Sequence, residues 1–338
     1  MKTIGVLTSG GDSQGMNAAI RAVTRAGIAN GMKVIGINRG YEGLMTRDVV
    51  ELTMTSVNDI LNRGGTMLRS ARSKKFATPE GVLEAKRACE ELGIDGVIVG
   101  GGDGSFRGAR DLTNAGIPCV AFPCTIDNDI VCSEDTIGFD TAVNIVTELV
   151  DRLKDTSESH DRCSVVQIMG KYAGWVTLQG SLATGATCTI VPEVKFDFKK
   201  DIVDKIKYAQ SFGKTSFVIM VSEGVFADVP SSVNYKYLHD MGINNIYDFA
   251  KEVEKETGVE ARETVLGHVQ RGGIPTAHDR ILASNMGSYA VELLKKGISN
   301  RVVVVRDGKI TDLDINDALK MTKPFDVAKL EEANMLNL

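Results

Sequence analysis

Two apolar runs break off into turns rich in glycine and aspartate, and this pairing constrains the fold more than any other feature of the chain. Val97-Ile98-Val99 runs into Gly100-Gly101-Gly102-Asp103-Gly104-Ser105, and Ile117 to Phe122 runs into Thr125-Ile126-Asp127-Asn128-Asp129. Short apolar runs closed by such turns read as buried strands. A third strand, Ile4 to Leu7, ends at Gly10-Gly11. Repeated strand–turn–helix units predict an α/β fold with mainly parallel sheets flanked by helices. In such sheets ligands bind beyond the carboxyl ends of the strands, where these turns lie.

The turns carry the parts for phosphoryl transfer. Glycine-rich backbone exposes N–H groups that cradle phosphate, a carboxylate such as Asp103 holds Mg2+, and one such as Asp127 accepts a proton. Each part has a plainer reading. Gly10-Gly11 also fits a tight turn, and Asp103 fits an N-cap for a helix starting near Ser105. Acids in the 125–129 segment could cap local N–H groups, which explains one aspartate well and the cluster poorly. If that segment is extended, Thr125, Asp127 and Asp129 project to one side.

A chain of 338 residues is long enough for two lobes with substantial cores. It is 43% apolar and 25% charged, ordinary for a globular protein. The formal charge of −5 argues against nonspecific nucleic-acid binding. No apolar stretch is long enough to span a bilayer, and the N-terminus reads straight into a strand without a signal peptide. The six cysteines lack paired metal spacing, so free thiols in a cytoplasmic protein are expected. No Walker A motif is present: Tyr208 stands where the first glycine before Gly213-Lys214-Thr215 should be. Gly102, Gly104 and Gly108 miss dinucleotide spacing.

Helices are predicted from about Met16 to Ala29, Glu80 to Leu92, Thr141 to Lys154, Asp248 to Glu256 and Ala277 to Lys295. Further strands are predicted at Val34–Asn38, Ser164–Met169, Thr189–Val191, Phe217–Ser222 and Val302–Val305. The Gly-, Arg- and Ser-rich stretch Asn62–Lys75 reads as a functional loop. Asp228–Asn245, polar and without a clear period, reads as a long surface loop.

The ordered set of motifs resembles the 6-phosphofructokinases, specifically the bacterial ATP-dependent branch, of which this chain looks like a divergent member. It begins with Ile4 to Asp12 and Gly15-Met16-Asn17-Ala18 and passes through both aspartate turns. It continues with Ile137 to Ala142 and Met169-Gly170-Lys171, and closes with Leu266-Gly267-His268-Val269-Gln270-Arg271-Gly272-Gly273. The resemblance implies two Rossmann-like lobes with the active site in the cleft between them. The larger, ATP-binding lobe would be 1–138 plus 270–320, and the smaller, sugar-phosphate lobe 139–269 plus 321–338. It also implies a homotetramer with shared active sites, transferring the γ-phosphoryl of Mg2+–ATP to fructose 6-phosphate.

On the donor side, the resemblance assigns Gly11 to the transferring phosphate and Arg72, otherwise a solvated loop charge, to bridging phosphates. Gly102, Asp103, Gly104, Ser105 and Gly108 would form the nucleotide site, with Asp103 on Mg2+ and Asp129 a second candidate ligand. Gly104 favours ATP, since pyrophosphate-dependent relatives typically have Asp there. Cys124 is neither the Gly of ATP enzymes nor the Lys of pyrophosphate enzymes. Trp175 pulls weakly toward the pyrophosphate branch.

On the acceptor side, the resemblance makes Asp127 the base for the sugar 1-hydroxyl, with Thr125 and Asp129 beside it. Met169, Gly170 and Lys171 match a Met-Gly-Arg, so Lys171 keeps the charge that steadies the migrating phosphoryl but loses the bidentate fork. Glu223 would accept hydrogen bonds from sugar hydroxyls. Arg162, Arg262, His268 and Arg271, individually ordinary surface charges, would bind the 6-phosphate, with Arg162 and Arg262 reaching from a neighbouring subunit.

Arg21 and Arg25, four apart on one helix, share a face and alone read as a solvated stripe. The resemblance places them with Asp59, Lys154 and Lys214 in an effector site for ADP or phosphoenolpyruvate. Met54, Lys154, Thr187, Phe212 and Thr215 depart from its pattern, so that site is expected to be eroded. Competing expectations are pyrophosphate as donor, another acceptor such as sedoheptulose 7-phosphate, or a weakly active paralogue that binds sugar phosphates to regulate a true enzyme.

Overall fold

A computed structural model describes residues 1–337. The chain divides into two compact units, Met1–Thr141 with Arg271–Lys323, and Ala142–Gln270 with Pro324–Leu338. The first unit contains β1 (Thr3–Thr8), β2 (Lys33–Ile37), β3 (Val49–Leu52), β4 (Gly96–Gly101) and β5 (Cys119–Pro123). The second contains β6 (Cys163–Ile168), β7 (Cys188–Ile190), β8 (Phe217–Ser222) and β9 (Ala261–Val265). The chain then returns to the first unit with β10 (Arg301–Arg306) and β11 (Lys309–Asp314).

The first sheet has the order β11-β10-β5-β4-β1-β2-β3. Its five inner strands pair in parallel, and β3 and β11 close the edges in antiparallel register. Strand side chains alternate between faces. Leu7, Val97, Val99 and Ala121 therefore pack on one side with Phe106 and Leu112, while Val6, Ile98, Val120 and Phe122 pack on the other with Met16 and Ile20. Covering both faces explains why the inner strands read as unbroken apolar runs. Each fully buried side chain of this kind contributes about 1.5–3 kcal/mol over its exposed state.

The second unit holds a four-stranded parallel sheet, β7-β8-β6-β9. Val165, Ile219 and Val221 pack there with Phe198 and Phe249. The closing helix Val327–Leu336 adds Leu330 and Ala333 to Leu178 and Val191.

The predicted α/β class with mainly parallel sheets is the observed one. Two local expectations are corrected. The 228–245 stretch is not a featureless surface loop: it contains the helix Tyr235–Asp240 and buries Leu238 and Ile243. Asn234, 1% exposed, donates to the carbonyls of Val191 at 2.9 Å and Val194 at 2.8 Å, fixing the stretch to the unit's interior. The edge strands β3, β9 and β11 were not predicted, because each is short and holds at most one buried residue, too little for the apolar run of an inner strand.

Candidate active site

The donor residues gather at the carboxyl ends of β1 and β4. Gly10 turns the chain at φ 94° and Gly11 is exposed. Ser9 N–H donates to Gly100 O at 2.9 Å, joining the two strand ends. Gly101 must be glycine, since a Cβ there would lie 2.3 Å from Ser105 Oγ and 2.6 Å from Ser9 O. Ser105 is buried and its hydroxyl donates to Ser9 O at 3.2 Å, so it braces the turn from within.

Asp103 is not the helix cap. The helix Asp103–Asn114 starts at Asp103, with extended Gly102 in the cap position. Asp103 lies in the first turn, where a carboxylate meets the positive end of the helix dipole. A Cβ on Gly104 would meet nothing within 4 Å, whereas one on Gly108 would lie 2.7 Å from Tyr41. Tyr41 and Phe76 stack at 3.9 Å and 8°, and Tyr41 Oη donates to Ser105 O at 2.7 Å. Gly108 thus serves close packing under this aromatic pair, which sequence reading missed.

The 62–75 stretch is tied down at several points. Asn17 donates to Arg63 O and Gly64 O, both at 3.1 Å, and accepts from Met67 N–H at 2.7 Å. Ser70 Oγ donates to Gly10 O at 2.6 Å, which fixes the base of the loop that carries exposed Arg72.

The 125–129 segment is not extended, so the condition under which Thr125, Asp127 and Asp129 would project to one side is not met. Asn128 adopts φ 48°, a left-handed conformation tolerated best by Gly, Asn and Asp. Asp127 N–H donates to Thr125 Oγ1 at 3.2 Å, a local turn. Thr125 N–H donates to Ile137 O at 3.1 Å and Thr136 Oγ1 to Thr125 O at 2.8 Å, so residues 125–136 form a closed loop with adjacent ends. Asp127 is 6% exposed. Arg271 Nη2 lies 3.9 Å from Asp127 Oδ1, and its Nη1 donates to Asp12 O at 2.9 Å. A Cβ on Gly11 would sit 3.0 Å from the same Nη1. Asp127, the first glycine turn and one arginine therefore meet within the first unit. Sequence reading grouped Arg271 with the 6-phosphate set and did not foresee its seat beside Asp127.

Asp103 and Asp129 offer the hard oxygen donors that Mg2+ takes, and one or two carboxylates suffice when phosphate oxygens complete the shell. Among the described residues no group of three or more His, Cys, Asp or Glu forms a ready-made cage. Burial raises the Cys132 thiol to about 11, with the charge of Asp103 adding to the rise and that of Lys323 opposing it. Burial lowers the Lys323 ammonium, against Asp129 and Asp135, which hold it up.

In the second unit, the Met169–Lys171 turn rests on two partners. Glu223 Oε1 accepts from Gly170 N–H at 3.2 Å and Lys171 N–H at 2.6 Å. Gln270, 0% exposed, accepts from Met169 N–H at 2.8 Å and donates to Met169 O at 3.3 Å. Glu223 therefore shapes the turn, a role the sequence did not show. Lys171, in the left-handed region at φ 58°, is exposed with Nζ 5.6 Å from the Tyr172 ring centroid. Arg162 Nε lies 2.9 Å from Glu260 Oε2, and Arg262 pairs with the same carboxylate. These two arginines meet at Glu260, and His268 is exposed in the 3-10 turn Gly267–Arg271.

The two ambiguous donor positions are packing residues. Burial, then the charge of Asp279, pushes the Cys124 thiol well above its ordinary value, far from thiolate reactivity. Trp175 packs on Phe325 with centroids 4.9 Å apart.

Of the effector residues, Arg25 Nη2 donates to Asn58 Oδ1 at 3.0 Å, on the helix that also carries Arg21, and Asp59 is exposed at φ 56°. In the second unit Lys154 Nζ donates to Thr184 O at 2.6 Å. Burial, then the like charge of Lys154, lowers the Lys214 ammonium. Lys214 lines a recess of about 360 Å³ into which Asp161 and Glu260 also bring negative charge.

Residues 3–294 match the family described as phosphofructokinase. The chain belongs to the phosphofructokinase family. A protein of Alkaliphilus metalliredigens named ATP-dependent 6-phosphofructokinase is 47% identical over 338 residues, covering 100% of both chains. One of the same name from Clostridioides difficile is 46% identical over 338 residues, again 100% of both. Among solved structures, phosphofructokinase from Saccharomyces cerevisiae superposes with a TM-score of 0.85 at 31% identity, over 100% of this chain and 48% of that one. This chain therefore spans about half of the yeast chain. A pyrophosphate-dependent phosphofructokinase from Marinobacter aquaeolei shares the fold, with a TM-score of 0.80 at 20% identity over 98% and 91%.

Proposed function

We propose that this phosphofructokinase transfers the γ-phosphoryl group of ATP to the 1-hydroxyl of fructose 6-phosphate, giving fructose 1,6-bisphosphate and ADP. The observation that carries the reading is a nearly buried carboxylate, Asp127, seated beside an arginine that also holds the Gly11–Asp12 turn. An attacking alcohol must lose its proton, and Asp127 accepts it. Arg271, 3.9 Å from that carboxylate, adds positive charge beside Gly11, where the transferring phosphoryl would rest.

Gly11, Arg72, Gly102 and Gly104 bind the donor phosphates, and open space at Gly104 suits a nucleotide. Two full-length relatives named as ATP-dependent enzymes support the same donor. Asp103 would hold Mg2+, with Asp129 as the second candidate. When bound, the ion neutralises phosphate charge that would otherwise repel the nucleophile. Lys171 supplies a point charge for the migrating phosphoryl, and Glu223 orients the sugar. Arg162, Arg262 and His268 bind the 6-phosphate, with Arg271 a further candidate. Since Arg162 and Arg262 already share Glu260, the incoming phosphate must compete for them. We assign them to the site of a neighbouring subunit in a homotetramer, as the family resemblance implies, and a cytoplasmic location accords with this glycolytic role.

The test is turnover of fructose 6-phosphate by the purified protein with Mg2+, supplied with ATP or pyrophosphate in parallel. Turnover with ATP alone is expected. Turnover with pyrophosphate would overturn the donor assignment. Inactivity with both, followed by turnover of sedoheptulose 7-phosphate, would overturn the acceptor, and inactivity with all would favour a regulatory paralogue. The acids lining the Lys214 recess and the departures at Met54, Lys154, Thr187, Phe212 and Thr215 also predict weak effector control. Phosphoenolpyruvate should leave the saturation curve for fructose 6-phosphate close to hyperbolic, and strongly sigmoidal inhibition would refute this.

A further inference from the structure

Lys323 reaches into the closed 125–136 loop from a distant part of the chain. Its ammonium lies 3.1 Å from Asn128 O, 3.4 Å from Asn128 Oδ1 and 3.2 Å from Ser133 O. These oxygens lie on opposite limbs of the loop, and an ammonium with three N–H donors can reach both. The loop is also held elsewhere. Asn128 Nδ2 donates to Glu134 O at 3.4 Å, Ser133 Oγ to Asp135 O at 2.6 Å, and Val305 N–H to Ser133 Oγ at 3.0 Å. Only Lys323 among these residues touches both Asn128 and Ser133.

What it holds is the left-handed residue between the two site aspartates. Asn128, at φ 48° and 6% exposed, sets the direction in which Asp127 and Asp129 leave the backbone. A non-glycine residue in that region persists only where its surroundings over-determine it. A charge-assisted hydrogen bond to its own carbonyl supplies such a constraint. The lysine is itself restrained, because Pro324 follows it and confines the residue before it to extended backbone. Burial disfavours the ammonium's charge, and the negative charges of Asp129, Asp135 and Glu134 oppose that effect.

We infer that Lys323 is a positioning residue for phosphoryl transfer: by clamping the Asn128 and Ser133 carbonyls it fixes the turn that aims the Asp127 carboxylate. It need touch neither substrate. The inference rests on Asp127 being the base, so its test carries one readout that does not depend on turnover.

Four variants, Lys323→Met, Lys323→Gln, Lys323→Arg and the exposed control Lys320→Met, are compared with wild type in steady-state kinetics and in amide hydrogen exchange across 125–136. Misplacing a reacting group by about 1 Å costs about 10²-fold in rate. Lys323→Met should therefore lose kcat on that order while the KM for each substrate stays within about threefold, the signature of an interaction used in the transition state. Lys323→Arg should recover most of the rate, and Lys320→Met should match wild type. Exchange across 125–136 should quicken in Lys323→Met and Lys323→Gln, with other segments unchanged. Should Lys323→Met not fold, Lys323→Gln decides, with a loss of about tenfold expected. Wild-type kcat in the Met or Gln variant, a change confined to KM, or unchanged exchange in the loop would each overturn the clamp. An inactive wild type would instead sink the reaction assignment, and the exchange measurement would still decide whether Lys323 holds the turn.

Discussion

The base loop and the arginine pair of the second unit are both charged and both polar, yet they are built in opposite ways. Asp127 is 6% exposed in a loop whose two ends are bonded to each other and whose turn is pinned by Lys323 and faced by Arg271. Arg162 and Arg262 stand at 36% and 62% side-chain exposure, and both lean on one carboxylate, Glu260. A group that must meet a developing charge benefits from being fixed before the substrate arrives. A group that only captures an anion can be held loosely by a local partner and released on binding. If the proposed roles hold, the first region serves rate and the second affinity, and substitutions in the two should separate along kcat and KM.

Asp127→Asn offers the sharpest break. It keeps the shape of the side chain and removes the proton acceptor, so kcat should fall about 10²–10⁴-fold with small changes in KM. Steady-state assays with ATP and fructose 6-phosphate check this, and a variant that keeps more than a tenth of the rate would remove Asp127 from the base role.

Gly104→Asp acts at the donor edge of the same rigid region. A side chain there meets no protein atom within 4 Å, so folding should be unaffected. The added carboxylate would oppose the nucleotide phosphates, and juxtaposed like charges cost several kcal/mol. The kcat/KM for ATP should fall about 10²-fold or more, while the KM for fructose 6-phosphate holds.

The parts of this region that sequence revealed are those encoded locally. Val97–Val99 and Ile117–Phe122 announce strands, and the glycines and aspartates after them mark strand ends, because turn chemistry and burial leave their trace within a few residues. The seat of Arg271 beside Asp127 joins residues 144 positions apart, by the numbering of the ion pair itself, and no local period reports it. Lys323 and Asn128 are likewise 195 apart. Asn128 left no signal of its left-handed turn beyond being asparagine, so the sequence left an extended segment and a turn both open. The helix Tyr235–Asp240 was hidden because Leu238 is its only buried residue, too little for an apolar stripe. Gln270 lay inside a recognised motif, but its two bonds to Met169 depend on β6 and the 3-10 turn being brought together.

Arg262→Ala sharpens the other half of the comparison. Losing one charge-assisted contact to a phosphate costs about 1.5–3 kcal/mol, so the KM for fructose 6-phosphate should rise about tenfold or more. Its kcat should change by less than threefold, about the reverse of Asp127→Asn. A variant that loses kcat while keeping KM would mean that this exposed pair is organised for rate after all.

The smallest expected effect probes how firmly the far end of the base loop is held. Asp135, near the loop's close, bonds His278 through Nε2. Burial opposes charge on the imidazole, but the hydrogen bond and charge of Asp135, with Asp140 and Asp279, raise its pKa above 6.5. A raised folded-state value means that the protonated pair stabilises the fold fully below the unfolded pKa of about 6.5, and that the contribution is lost as pH rises through the folded value. The side chain of His278 is 54% exposed, so solvent screens the pair and its contribution is small. His278→Gln should therefore lower Tm by a degree or two at pH 5.5, and the gap should close as the pH is raised past the folded value. A gap that widens toward alkaline pH would show that the pair works through the neutral ring, leaving the loop held by hydrogen bonds alone.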